Sequence, residues 1–160
     1  MSRRAQVLAD RLQQGAQALA AFVESLSDTE WRMKVPKDGR TVGVIVHHVA
    51  SVYPLEIQLA QSVAAGKPVV GVTWDEVAEM NAKHARENAG VGKSEALELL
   101  RRNSRAAADA VRTFSEEQLD SAAPVSLNAG APLTAQFLIE DHALRHSFHH
   151  LARIRTTVGR

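Results

Sequence analysis

The residues with the clearest capacity for chemistry are His146 and His150, in the stretch His146-Ser147-Phe148-His149-His150. The stretch carries the apolar periodicity of a helix, and helix positions i and i+4 stand one above the other on the same face. Two imidazoles in that relation can share one metal ion, as in the helical His-x-x-x-His of zinc enzymes. Two ligands are not a site, so a third has to come from elsewhere in the chain. Cysteine is absent, which excludes disulfides, thiol nucleophiles and thiolate ligands and leaves nitrogen and oxygen to hold any ion.

Four of the seven histidines fall between positions 142 and 150. Leu138, His142, His146, His149, His150 and Ile154 read as one broad stripe, and its apolar members turn it toward the core. Buried imidazoles are costly unless their nitrogens find partners, and a shared cation satisfies several at once. His48 is the matching third ligand, because its stripe consists of the apolar Val44, Ile45, Val52, Leu55 and Leu59. His47 is rotated from it by about 100° and falls on the flank. His142 is a candidate pocket-lining residue or fourth ligand, His149 is read as orienting a ligand or lying at the surface, and His47 is a further candidate for lining the pocket. Glu140 and Asp141 precede the cluster but lie off its stripe, so no general base is named. Three histidines without a carboxylate leave coordination positions open, the arrangement of catalytic sites. Zn²⁺, Ni²⁺, Fe²⁺ and Co²⁺ all suit such a set.

The elements that must position these residues are helices. Ser2 to Leu26 repeats Leu8, Leu12, Gly15, Leu19, Phe22 and Leu26 at spacings of four and three. A second long helix starts after Thr41 and ends before Gly66, with Pro54 inside it expected to free the Ala50 carbonyl and kink the helix. Thr73-Trp74-Asp75-Glu76 opens a shorter helix to about Ala89. Its line Val77, Asn81, His84, Asn88 is expected to face solvent, with a pocket-edging role for Asn81 as the alternative. Ser94 is expected to cap the next helix, whose apolar line is Leu97, Leu100, Ser104, Ala107 and Val111. Thr134 caps the last helix, which runs to about Thr157. Capping patterns at Ser27 and Ser115 start short turns, and Ser121 to Pro132 reads as loop. Val69-Val70-Gly71-Val72 is the one strand candidate and stands alone. The expected architecture over residues 1–160 is a single all-α domain, a bundle of four long helices with one extra shorter helix.

Composition narrows the function. The 160 residues are 45% hydrophobic and 23% charged with net charge +1, which gives no electrostatic case for nucleic acid, and aromatics at 4% leave few platforms for stacking bases. No signal core and no run of about 18 apolar residues are read, so a cytoplasmic protein that does not span a membrane is expected. Arg153, Arg155 and Arg160 read as a solvated last turn. Gly92-Lys93-Ser94 has the end of a phosphate loop, but Glu87 stands where that motif needs glycine.

Taken together, His48-Val49-Ala50-Ser51 on the second long helix and His146-x-x-His149-His150 on the last resemble the motifs of the DinB/YfiT-like four-helix-bundle proteins, in the same order and about 100 residues apart. The long first helix and the Trp31 turn fit as well. The resemblance implies a long crossover between bundle helices 2 and 3, and one divalent metal on His48, His146 and His150. It also implies a homodimer, and a metal-dependent transferase using a low-molecular-weight thiol or a metal-dependent hydrolase acting on a small molecule. A non-catalytic sensor or a purely structural bundle is the alternative. Leu151-Ala152-Arg153 and Ser51 depart from the commonest family residues, which affects the substrate more than the metal triad.

Overall fold

The computed structural model describes residues 1–160. Its elements are α1 (Arg3–Glu24), α2 (Asp28–Arg32), α3 (Val42–Ala64), α4 (Trp74–Glu87), α5 (Lys93–Arg112), α6 (Glu116–Asp120), β1 (Ala122–Val125), β2 (Ala131–Thr134), α7 (Ala135–Leu138) and α8 (Arg145–Val158). A π-helical segment, Ile139–Leu144, joins α7 to α8 without a break. Four long rods form the bundle: α1, α3, α5 and the composite α7–α8. α5 packs on both α1 and α3, and the last helix closes the square against both. A long crossover carrying α4 joins α3 to α5, as the family resemblance implies.

Local sequence explains most element starts. Ser27, Thr73 and Ser115 each accept from the N–H three residues on, while Glu30, Glu76 and Gln118 reach back to the capping residue. Both members of such a pair satisfy donors that the first turn leaves unpaired. Thr41 and Thr134 cap α3 and α7 in the expected way. Ser94 does not cap α5: the helix starts two residues earlier, at Lys93, with Gly92 at the cap and no side-chain bond.

Leu8, Leu12, Gly15 and Leu19 of α1 and all five residues of the α5 line are buried. The α3 stripe is only half right, since Leu55 is 40% exposed and the buried second half consists of Tyr53, Glu56, Ile57, Ala60 and Val63. The reason is that α3 is apolar nearly all round, so its own pattern does not choose a face. By length and composition α3 would pass as a membrane span, but most of it is buried inside the bundle.

Pro54 lies within α3 and cannot donate to the Ala50 carbonyl. Asn103 of α5 supplies the missing donor, its Nδ2 lying 2.9 Å from Ala50 O. Two glycines allow close approaches beside the site. A Cβ on Gly15 would come within 2.5 Å of Ser147 Oγ and 2.6 Å of the Phe148 ring, where α1 meets α8. A Cβ on Gly43 would meet the Trp31 indole at 2.6 Å.

Three further expectations change here. Ser121 to Pro132 is not simply loop: Ala122–Val125 and Ala131–Thr134 pair antiparallel, with Pro124 opposite Pro132. Prolines hide strands from sequence reading, and a two-stranded ribbon with free edges tolerates them. Val69 does not stand alone either, for it forms a parallel bridge with Val125. The terminal arginines are not simply solvated: Arg155 and Arg160 lie over the Phe22 ring at 4.6 and 5.3 Å, Arg160 pairs with Glu30, and Arg153 reaches Asp38.

Replacing Asn103 by Ala leaves the Ala50 carbonyl buried and unpaired and lowers unfolding free energy by about 1–3 kcal/mol in urea titrations. In a Pro54→Ala background, where the backbone N–H of residue 54 is restored, the same replacement costs measurably less.

Candidate metal centre

His48 projects from the first half of α3, next to His47. His146 and His150 project from the first two turns of α8. One ring nitrogen from each of the three lies within 4.8 Å of the others. His146 Nε2 and His150 Nε2 are 3.0 Å apart. The His48 ring stands edge-on to both, with centroids 5.0 Å from His146 and 5.8 Å from His150. His48 and His150 are buried, and the His146 side chain is 19% exposed, so the cluster opens outward at His146.

Electrostatics keep His48 and His150 in the form that binds metal. Burial, followed by the neighbouring His146, pushes His48 down to about 3 and His150 down to about 2. Both are therefore neutral at pH 7 and present lone pairs. The Nδ1 atoms of His146 and His150 are buried without hydrogen-bond partners. A ring that offers Nε2 to an ion carries its proton on Nδ1, and such protons usually face a carboxylate or carbonyl. For His146 that group is Glu56, whose Oε2 lies 3.6 Å from Nδ1, an ion-pair distance rather than a hydrogen bond. The donor set and this orienting carboxylate fit one divalent cation.

Glu56 was missed in the sequence. It is 7% exposed and is the only carboxylate in the 23 residues of α3, which also hold no lysine or arginine. A lone carboxylate in an otherwise apolar helix is a readable signal, because burying it requires a partner.

The remaining candidates fall around the triad. His47 turns away to the flank, where its Nδ1 lies 2.8 Å from His84 Nε2 on α4. The two rings stack at 5.1 Å, and burial lowers both below the usual imidazole range. His84 also stands edge-on to His48 at 5.7 Å, so the crossover helix does cover this end of the site. The expected solvent-facing line of α4 is in fact its inward line: Val77, Asn81, His84 and Asn88 are half-buried while most of the helix is exposed. His142 lies outside the triad, 3.8 Å from Asp141. The π-helical turn between it and His146 bonds i to i+5, so a stripe drawn at the α-helical period does not carry through. His149 is exposed and does not point inward as the stripe implied, although its ring lies 5.0 Å from that of His150. Glu140 pairs with Arg11 and Asp141 with Arg145, both away from the triad.

Beside the cluster, Asp38 in the loop before α3 accepts from Arg40 through both oxygens, at 2.7 and 2.9 Å, and forms an ion pair with Arg153 of α8 at 3.1 Å. The Arg40 guanidinium holds the Asp38 carboxyl well below the ordinary carboxylate range.

The sequence pattern of the DinB superfamily matches residues 11–154 of this chain. The chain belongs to the DinB superfamily. Among solved structures it is similar to YfiT from Bacillus subtilis, with a TM-score of 0.75 and 19% identity over 99% of this chain and 90% of that one. YfiT is described as "a probable metal-dependent hydrolase with an unusual four-helix bundle topology". At that identity the likeness establishes a shared fold. No curated protein matches the chain. In this DinB superfamily member the bundle brings His48, His146 and His150 together.

Two outcomes follow. Glu56→Gln keeps the shape and removes the charge facing His146, and it weakens Zn²⁺ affinity about 10- to 100-fold in chelator competition. Because the Asp38 carboxyl is lowered in the folded state, its stabilising contribution is complete above the unfolded carboxyl pKa of about 3.9 and is lost as pH falls below it. The stability gap between wild type and Asp38→Asn, followed by chemical unfolding, is therefore constant from pH 7 to about 5 and closes progressively below about 4.

Proposed function

We propose that this protein is a metal-dependent enzyme in which His48, His146 and His150 hold one divalent ion, and that it transfers a group to or from a small external thiol. The observation that carries the reading is the convergence of three imidazoles on one point, with His48 and His150 buried and neutral and His146 half-buried at the opening. A bound ion would supply Lewis acidity, making a donor in its remaining coordination positions a stronger acid. The protein's part is to hold His48 and His150 neutral by burial, to orient His146 through Glu56, and to shield one side with His47 and His84 of the α3–α4 contact. A chain without cysteine has no thiolate of its own to place on the ion, which favours a thiol from a cosubstrate. Metal-assisted hydrolysis is the second reading, favoured by the description of YfiT. Zn²⁺, Ni²⁺ and Fe²⁺ are the ions to test.

Metal addition gives the first test. At ion concentrations about 100-fold above Kd, wild-type protein gains about 2.7 kcal/mol of stability, seen as a raised Tm, whereas His48→Ala and His146→Ala gain none. Equal responses in all three would remove the triad from consideration. With the site saturated, turnover of small electrophiles that requires an added low-molecular-weight thiol supports transfer. Turnover without thiol supports hydrolysis, and inactivity in both assays overturns the enzyme reading in favour of a binding module.

A further inference from the structure

The cation next to the histidines is not fully used. Arg40 gives its Nε and Nη2 edge to Asp38. Its Nη1 is buried and has no hydrogen-bond partner. An unpartnered buried donor on a charged group is among the costlier defects a fold can carry. The local charge count points the same way, since two guanidiniums, Arg40 and Arg153, share one carboxylate. Arg153 is 31% exposed and water can screen it, but the Arg40 side chain is only 17% exposed.

The surplus charge sits at the triad. Arg153 follows His150 by three residues on α8, so the Asp38 bridge ties Arg40 to the same turn of helix. The buried imidazoles of His48 and His150 give Arg40 no counter-charge, the other carboxylate at the cluster, Glu56, faces His146 instead, and a divalent ion on the triad would add positive charge. The cover on this side includes α4, which has no fully buried residue. It is attached through the His47–His84 bond and through Trp74 Nε1 donating to Leu127 O at 3.0 Å.

We infer that Arg40 Nη1 is an anion subsite, held in place by Asp38, that takes the carboxylate of a small substrate whose reacting end lies at His48, His146 and His150. The part of this statement that concerns the reacting end rests on the proposed metal-dependent activity; the anion subsite does not. A single planar oxyanion of charge −1 matches the surplus of one cation and the two free N–H bonds of Nη1. Positioning of this kind fixes a substrate's orientation as well as its affinity. Access requires α4 to yield, and a helix with so little buried surface is the part of the fold that can do so at least cost.

The test uses propionate, the neutral propionamide and inorganic phosphate as probes, with binding measured calorimetrically on zinc-free and zinc-loaded protein. In zinc-free wild type, propionate binds about tenfold or more tightly than propionamide, the effect of one charge-assisted hydrogen bond. Arg40→Lys and Arg40→Gln both lose that preference, with helical circular dichroism unchanged and zinc affinity retained. Arg40→Lys keeps the charge that Asp38 needs, so it decides the matter if Arg40→Gln does not fold. Equal binding of propionate and propionamide, or a preference that survives in the variants, overturns the subsite. Phosphate binding more tightly than propionate overturns the carboxylate assignment. If zinc does not bind the wild type, the metal reading fails, and the zinc-free titration still decides the subsite.

Discussion

Three imidazoles can be buried together only if they stay neutral and their lone pairs have something to face, and much of this molecule follows from that constraint. α3 and α8 must approach closely enough for His48 to meet His146 and His150. Gly15 allows part of this approach by letting α1 press on Ser147 and Phe148, which fixes α8 from behind. Gly43 does the same for the start of α3 against Trp31. The π-helical turn ahead of α8 belongs to the same arrangement. It shifts the phase of the last helix, so that Leu138 and Ile139 pack in the core while the His146–His150 face turns to α3.

The charged groups around the triad form a graded surround. Glu56 lies beneath His146 as a buried carboxylate with one oxygen unpaired. Asp38, Arg40 and Arg153 link the loop before α3 to the far side of α8, and they lie close enough to bias the protonation of the histidines. α4 lies across the remaining side and contributes imidazole rather than apolar surface. A helix that buries no residue fully and presents Asn81 and His84 inward covers a polar site rather than extending the core. Firm packing on three sides and light packing on the fourth is a usual way for a rigid scaffold to admit a ligand.

Some of this was readable in advance and some was not, and the division follows sequence distance. Thr41, Thr73, Thr134, Ser27 and Ser115 announced helix starts because a cap is satisfied within four residues. His146 and His150 announced a shared face for the same local reason. The hairpin of Ala122–Val125 and Ala131–Thr134 did not, because each strand carries a proline and only mutual pairing makes them strands. Leu55 was misplaced because a helix apolar on every side has no preferred inward direction until its neighbours are present. His142 was placed on the wrong line because a π turn is invisible to a pattern of period 3.6.

By itself the sequence determined an all-helical bundle, a pair of histidines locked together by helix geometry, and His48 as the residue most suited to meet them. Those conclusions rest on periodicity, capping and the absence of cysteine, which operate over a few residues or over the whole composition. Only the tertiary structure decided that Glu56 faces His146, that Asn103 replaces the donor lost at Pro54, that His84 comes from the crossover to join His47, and that Arg40 is left with an unpaired nitrogen beside the triad. Each of these joins groups on different elements, and the energy of such a pair depends on separation and burial that no local pattern encodes.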